Sequence, residues 1–220
     1  MKVLIACEYS GTVRRAFNAL YHVEAWSIDL LPSEDGSNRH IVGDVRDGIL
    51  NEGWDLLMVA HPPCTRLCNS GVRWLSVPPP GRTHESMWAE LDEGAALFSL
   101  LWNAPIERIA VENPVMHRHA KERIHNYEEF AQSVQPYDFG HEESKRTCLW
   151  LKNLPPLVAT TPRTKEELAA LKRGKGFNRV HMMTPGADKW KERSRFYPGI
   201  AKAMAEQWGS LPRNDRRLTA

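Results

Sequence analysis

The sequence has no long apolar run. Its longest uninterrupted hydrophobic stretches, at residues 3–7 and 56–60, are five residues each, against the roughly 20 that a helix needs to cross a bilayer. A membrane span is therefore not expected. Cysteine is scarce: four in 220 residues (Cys7, Cys64, Cys68 and Cys148) do not make a disulfide framework. Cys64 and Cys68 stand close together, but no second such pair accompanies them, so a structural zinc site is not expected. His117, His119 and His125 likewise lack a carboxylate partner set for a metal. Periodicity is absent too: 15 prolines and 14 glycines are scattered without a repeat, which excludes collagen-like and simple repeat designs. Leu4-Ile5-Ala6-Cys7 has the look of a lipoprotein cleavage box, but the apolar run before it is too short for a signal peptide. A first strand explains it better, and the reducing cytoplasm is the expected location.

What the chain does have is core material. It is 42% hydrophobic with 8 Trp, 6 Phe and 5 Tyr, so wholesale disorder is excluded. The net charge of +2 hides an asymmetry: residues 1–159 carry 15 Lys/Arg against 21 Asp/Glu, and residues 160–220 carry 14 against 6. A basic C-terminal quarter suits a polyanionic partner, although a solvated basic face would read the same way.

Strand and helix signals alternate. Lys2–Cys7 reads as a strand, and Thr12–Leu20 as a helix with Val13, Ala16, Phe17 and Leu20 on one face. Val23–Leu30, Ile41-Val42, Trp54–Ala60 and Glu107–Val111 read as further strands, and Glu85–Trp102 as a long amphipathic helix. A hairpin is predicted from Gln135–Phe139 and Thr147–Leu151, then a short helix around Glu166–Lys172 and a final helix over Pro198–Trp208. The pattern is α/β: a mostly parallel sheet with helices on both faces, in which ligands bind at the carboxyl ends of the strands. Those ends carry Tyr9-Ser10-Gly11, Asp29, Asp44, Pro62-Pro63-Cys64 and Glu112-Asn113-Pro114.

Two of these ends carry chemistry. Two prolines fix the backbone and remove two donors, presenting Cys64 rigidly at the sheet edge. A thiol so placed can serve as a nucleophile if its thiolate is stabilised, although a buried inert cysteine is the commoner case. Glu112, on an adjacent strand end about 5 Å away, can hydrogen-bond or protonate a substrate nitrogen, or simply cap a loop. Trp88 and Trp102 read as core residues, and Trp74 and Trp190, flanked by basic residues, as candidates for base stacking.

Pro62-Pro63-Cys64-Thr65-Arg66-Leu67-Cys68-Asn69-Ser70-Gly71 resembles the nucleophile motif of the DNA (cytosine-5)-methyltransferases, and Glu112-Asn113-Pro114 resembles their glutamate motif. Tyr9 and Gly11 stand where that family has its cofactor loop, with fewer glycines. Phe139-Gly140 followed by Ser144-Lys145-Arg146-Thr147-Cys148 resembles the family's arginine segment, with no clear match for its second arginine. Ser194-Arg195-Phe196-Tyr197-Pro198-Gly199 falls where the family's last motif closes the cofactor pocket.

The resemblance implies a Rossmann-like, S-adenosylmethionine-dependent methyltransferase fold with a small basic C-terminal recognition extension. Residues 1–152 would be the catalytic and cofactor-binding core, 153–193 a reduced DNA-recognition region, and 194–220 a closing segment and helix. It implies Cys64, Glu112 and Arg146 as catalytic residues, with Cys64 adding to C6 of a cytosine flipped out of the duplex. Tyr9, Ser10, Gly11, Asp29, Asp44 and Pro62 would hold the cofactor. The partner would be double-stranded DNA, with Arg66, Arg73, Arg82, Lys172, Arg173, Lys175, Arg179 and Lys191 on its phosphates, joined by Arg163, Lys165, Lys189, Arg193 and Arg195. Two alternatives stay open: modification at C5 of a pyrimidine nucleotide, or transfer of another group there, and a non-catalytic DNA- or cofactor-binding protein. The roughly 45 residues between Leu151 and Ser194 leave little room for a recognition domain, so a short or relaxed target site is expected.

Overall fold

The computed structural model describes residues 1–60, 62–174, 176–183 and 195–212. Seven strands form one sheet: β1 (Lys2–Ala6), β2 (Glu24–Asp29), β3 (His40–Val42), β4 (Leu56–Val59), β5 (Arg108–Asn113), β6 (Gln132–Val134) and β7 (Thr147–Lys152), in the order β3-β2-β1-β4-β5-β7-β6. The first five run parallel, and the β6–β7 hairpin is antiparallel, with β7 paired to β5. The architecture is Rossmann-like and mostly parallel, as expected. Chain order reverses between β1 and β4, which opens a crevice outside the carboxyl ends of the strands.

Strand residues alternate between two cores. Leu4, Leu57, Val59, Ile109 and Val111 face α2 (His84–Trp102) and α3 (Arg118–Lys121). Val3, Ile5, Leu56, Met58 and Ala110 face α1 (Thr12–Asn18) and the last described helix, which spans Pro198–Trp208. That helix starts at a proline, whose missing N–H is no loss in a first turn. At Gly199 an added Cβ would lie 1.9 Å from the Phe139 carbonyl oxygen, so glycine alone lets the helix approach the preceding segment. Trp208 closes this face, fully buried, with its indole N–H donating to the Pro155 carbonyl at 3.0 Å.

The long helix α2 starts at a Thr83/Ser86 capping box, and Thr164 with Glu167 does the same for α4 (Lys165–Arg173). A single turn, α5 (Arg179–Met182), follows, and the Pro198–Trp208 helix is α6. The hairpin differs from expectation: its first strand is Gln132–Val134, and Pro136–Phe139 forms a 3₁₀ turn. Pro136 has no N–H for a ladder, and its fixed φ suits the first position of such a turn. Among the described residues, no helix is long and apolar enough to cross a membrane.

Candidate functional site

After β4 the chain passes through Pro62-Pro63 to Cys64, whose carbonyl accepts the N–H groups of Leu67 and Cys68 at 3.0 Å each. This one turn carries the two thiols to the same side. Its closure depends on Gly71, where a Cβ would sit 1.8 Å from the Thr65 carbonyl oxygen. The loop is fastened to the segment after β5. Asn69 N–H donates to the Val115 carbonyl at 3.1 Å, and His117 N–H to the Leu67 carbonyl at 3.0 Å. The His117 ring bridges the same two segments: Nε2 lies 2.6 Å from the Arg66 carbonyl, and Nδ1 accepts the Ala120 N–H at 3.2 Å. That pattern makes Nε2 the protonated nitrogen of a neutral ring, consistent with burial holding His117 below its usual range. The thiol loop and the Glu112 strand end are thus one tied unit.

Glu112 is the next-to-last residue of β5 and is buried, opposite Leu149 of β7. Burial pushes its carboxyl up to about 7, with Lys145 acting in the opposite direction. The same Lys145 acts on Cys64, where it opposes a rise caused by the hydrogen bond to Cys68, burial and the Glu112 charge. Cys64 is half-buried and Cys68 buried.

Sequence reasoning missed Lys145 and put Arg146 in its place. Opposed residues of an antiparallel pair share a face, and successive residues alternate. Leu149 opposes Glu112 and Cys148 opposes Asn113, so continuing the alternation outward puts Lys145 on the Glu112 face and Arg146 on the other. Arg146 accordingly is exposed, hydrogen-bonded to Cys148, with its guanidinium 5.8 Å from the Phe130 ring centroid. Lys145 reaches toward the Arg195 carbonyl at 3.4 Å, with its ammonium 5.9 Å from the Tyr197 ring centroid. No signal short of the β5–β7 register could have separated these neighbours.

Of the residues expected at the cofactor, Pro62 follows β4, and the others lie at or just after the ends of β1, β2 and β3. Asp29 accepts the Leu31 N–H at 2.9 Å and is raised by burial, and Asp44 is held low by its hydrogen bonds from Arg46. Cys7, also missed from sequence, feels both carboxylates: it adopts a left-handed φ of 56°, and burial, then Asp29 and Asp44, push its thiol up to about 12. A non-glycine residue in that conformation marks a strained strand end. Tyr9 and Ser10 are buried, and Gly11 turns at φ 69°, where a Cβ would meet the Arg14 guanidinium at 2.4 Å and Asp35 at 2.7 Å. Glu8 fills the space where a glycine-rich loop leaves a helix N-terminus open: its carboxylate accepts the N–H groups of Val13 and Arg14 at 2.6 and 3.1 Å. Dinucleotide sites of this architecture place a pyrophosphate on those donors. With Glu8 on them, these two donors are not open to a phosphate. S-adenosylmethionine fits that donor set: a sulfonium for the acidic lining and hydroxyls for Asp29.

The cations expected on DNA divide. Arg73, Lys172 and Arg173 are exposed, with Arg73 stacked 4.1 Å from the Trp74 ring centroid. Arg66 is bound to Glu90 of α2 at 2.7 Å, Arg82 is paired to the same carboxylate, and Arg179 holds Glu143 at 2.9 Å. Arg163 donates to the Tyr137 carbonyl at 3.4 Å, while Trp88 packs against His119 and Arg123. Lys175, Lys189, Trp190, Lys191 and Arg193 lie outside the described residues.

The architecture is thus a doubly wound α/β sheet whose crevice brings together two thiols, a buried glutamate and a lysine, beside an acidic strand-end cluster. No family model matches the chain, and no curated protein matches it. Several solved structures resemble it. One is the Entamoeba histolytica methyltransferase EhMeth (13% identity, TM-score 0.46), matched over 75% of this chain and 57% of its own. Another is described as a candidate DNA modification methyltransferase encoded within an Escherichia coli prophage (12% identity, TM-score 0.40), matched over 69% of this chain and 46% of its own. The chain therefore spans about half the length of these structures.

Proposed function

We propose that the protein is an S-adenosylmethionine-dependent methyltransferase that modifies C5 of a cytosine in double-stranded DNA. The observation that carries this reading is the meeting of Cys64, Glu112 and Lys145 at the ends of β4, β5 and β7. Cytosine C5 is a poor nucleophile until a thiolate adds to C6. Cys64 supplies the sulfur for that bond. Glu112, raised to about 7 by burial, is partly protonated near neutral pH and donates to N3, neutralising the charge that the addition sends into the ring. Lys145 supplies the cation in the site, on Glu112's face of the sheet, where the sequence suggested Arg146. Asp29, Asp44 and the turn at Tyr9, Ser10 and Gly11, with Pro62 beside the thiol loop, would hold S-adenosylmethionine. When bound, that cofactor supplies an electrophilic methyl group.

DNA is favoured over a free nucleotide by the charge excess of the C-terminal quarter and by the exposed Arg73, Lys172 and Arg173. The test is incubation with duplex DNA carrying 5-fluorocytosine and S-adenosylmethionine. The expected result is a denaturant-resistant protein–DNA complex for wild type and none for Cys64→Ser. Intact cofactor binding without an adduct would overturn the mechanism. Absence of DNA affinity at low salt would overturn the polymer substrate.

A further inference from the structure

Asn113, the last residue of β5, is fully buried, and neither its Oδ1 nor its Nδ2 makes a hydrogen bond. Each of these atoms has given up water and received nothing in return, which is unfavourable and rare in a folded chain. Among the described residues, the other buried side-chain atom without a partner is Arg14 Nε, on a guanidinium whose Nη2 holds Asp35 at 2.6 Å. Alternation along β5 sends Ile109 and Val111 to the α2 face and Ala110 to the other, so Asn113 points to the α2 face and Glu112 away from it. Cys148 of β7 stands directly opposite Asn113. Leu67 and Met116 pack into the same face, where the thiol loop is fastened by the Cys68–Met116 bridge and the bonds to Val115 and His117. The loop has matching groups to offer. Pro62 and Pro63 bring no N–H, and no hydrogen bond joins their carbonyls or the Cys64 N–H to another described residue. The backbone bonds of the loop begin only at the Cys64 carbonyl.

We propose that Asn113 is a positioning residue for Cys64. When the site takes up its base, the carboxamide engages the Pro62-Pro63-Cys64 backbone, with Nδ2 donating to a proline carbonyl and Oδ1 accepting the Cys64 N–H. The proposal rests on the reading of Cys64 as the nucleophile. Both sides exchange unmet groups for two hydrogen bonds, so the strain of an unpaired amide in the free protein favours the aligned loop in the loaded one. Asn113 touches neither base nor cofactor; it acts by fixing the backbone from which the Cys64 sulfur projects. One strand end then serves both reacting partners: Glu112 on one face meets the ring, and Asn113 on the other holds the segment that delivers the thiol.

The test compares wild type with Asn113→Leu, which keeps the branched shape and removes both polar atoms. The free variant should melt about 3 °C higher, because the unpaired amide is gone. Its iodoacetamide labelling at Cys64, followed by peptide mass after tryptic cleavage at Arg66, should be unchanged, and so should its affinity for duplex DNA. Adduct formation at saturating 5-fluorocytosine duplex should slow about 30-fold, the loss of two neutral hydrogen bonds. Prolines carry no amide, so the Cys64 N–H reports the contact directly. In wild type its hydrogen exchange, read by NMR, should slow about tenfold or more when a duplex with ordinary cytosine binds, and in Asn113→Leu it should not. A variant that melts lower, labels differently when free, or forms adduct as fast as wild type overturns the proposal. So does a Cys64 amide that DNA leaves unprotected in wild type, and that measurement decides alone should Asn113→Leu not fold. Asn113→Ser, which keeps one hydroxyl and cannot overpack, should form adduct at an intermediate rate. Protection of the Cys64 amide that depends on Asn113, without any adduct in wild type, would instead overturn the cytosine reading and leave the positioning role standing.

Discussion

Replacing Glu112 by glutamine is expected to stabilise the protein and abolish its proposed chemistry at once. The carboxyl is buried and its ionised form is disfavoured, so its value rises from an ordinary 4.5 to about 7. The folded state therefore holds the proton more tightly than the unfolded chain. Its contribution to stability is fully present below about pH 4.5 and is lost as the pH rises through about 7. A displacement of this size corresponds to about 3 kcal/mol. Glutamine has nearly the same shape and no such titration, so the difference between the two proteins isolates the effect. Between pH 4.5 and pH 8, wild type should lose about 3 kcal/mol relative to Glu112→Gln, or roughly 6–12 °C in melting temperature for a chain this size. Urea unfolding at pH 4.5, 6 and 8 measures it, alongside adduct formation with 5-fluorocytosine DNA, which the variant should lack. A stability difference that is flat with pH, or that moves in favour of wild type as pH rises, would refute the reasoning.

Three further outcomes are expected. Lys145→Met removes the charge that opposes Glu112's rise, so the pH dependence of adduct formation should move to higher pH, whereas Arg146→Met, on the other face, should leave it in place. Gly71→Ala forces a methyl against the Thr65 carbonyl and should displace the thiol loop, lowering adduct yield at least tenfold while leaving the melting temperature within a few degrees, as read by gel shift and calorimetry. Trp208→Ala empties the centre of the α1/α6 core and orphans the Pro155 carbonyl, which should cost about 3–5 kcal/mol in urea unfolding.

Much of this fold was legible in the chain because its signals are local. An apolar strand followed by Pro62-Pro63-Cys64, another by Glu112-Asn113-Pro114, and a helix of the right length between them specify a parallel sheet without any knowledge of the partner strands. The ends of β2 and β3 announced Asp29 and Asp44 in the same way. The hairpin was misplaced because Gln132-Ser133-Val134 is too short to stand out, and it forms a strand only by pairing with Thr147-Cys148-Leu149.

What the sequence determined alone is therefore the order of strands and helices and the residues waiting at the strand ends, since hydrophobic period and proline placement act within a few residues. What the tertiary structure decided is which of those residues meet. The β5–β7 register turned Lys145 toward Glu112 and Arg146 away, because adjacent strand residues face opposite sides. A single turn closed over Gly71 brought Cys68 near Cys64, and Glu90 of α2 took up Arg66 and Arg82. Glu8 filled the first turn of α1, taking up the Val13 and Arg14 N–H groups. The β5–β7 pairing joins residues far apart in the chain, the others lie closer, and in each a neighbouring residue of the same type could have made the contact just as well until the backbone fixed the distance.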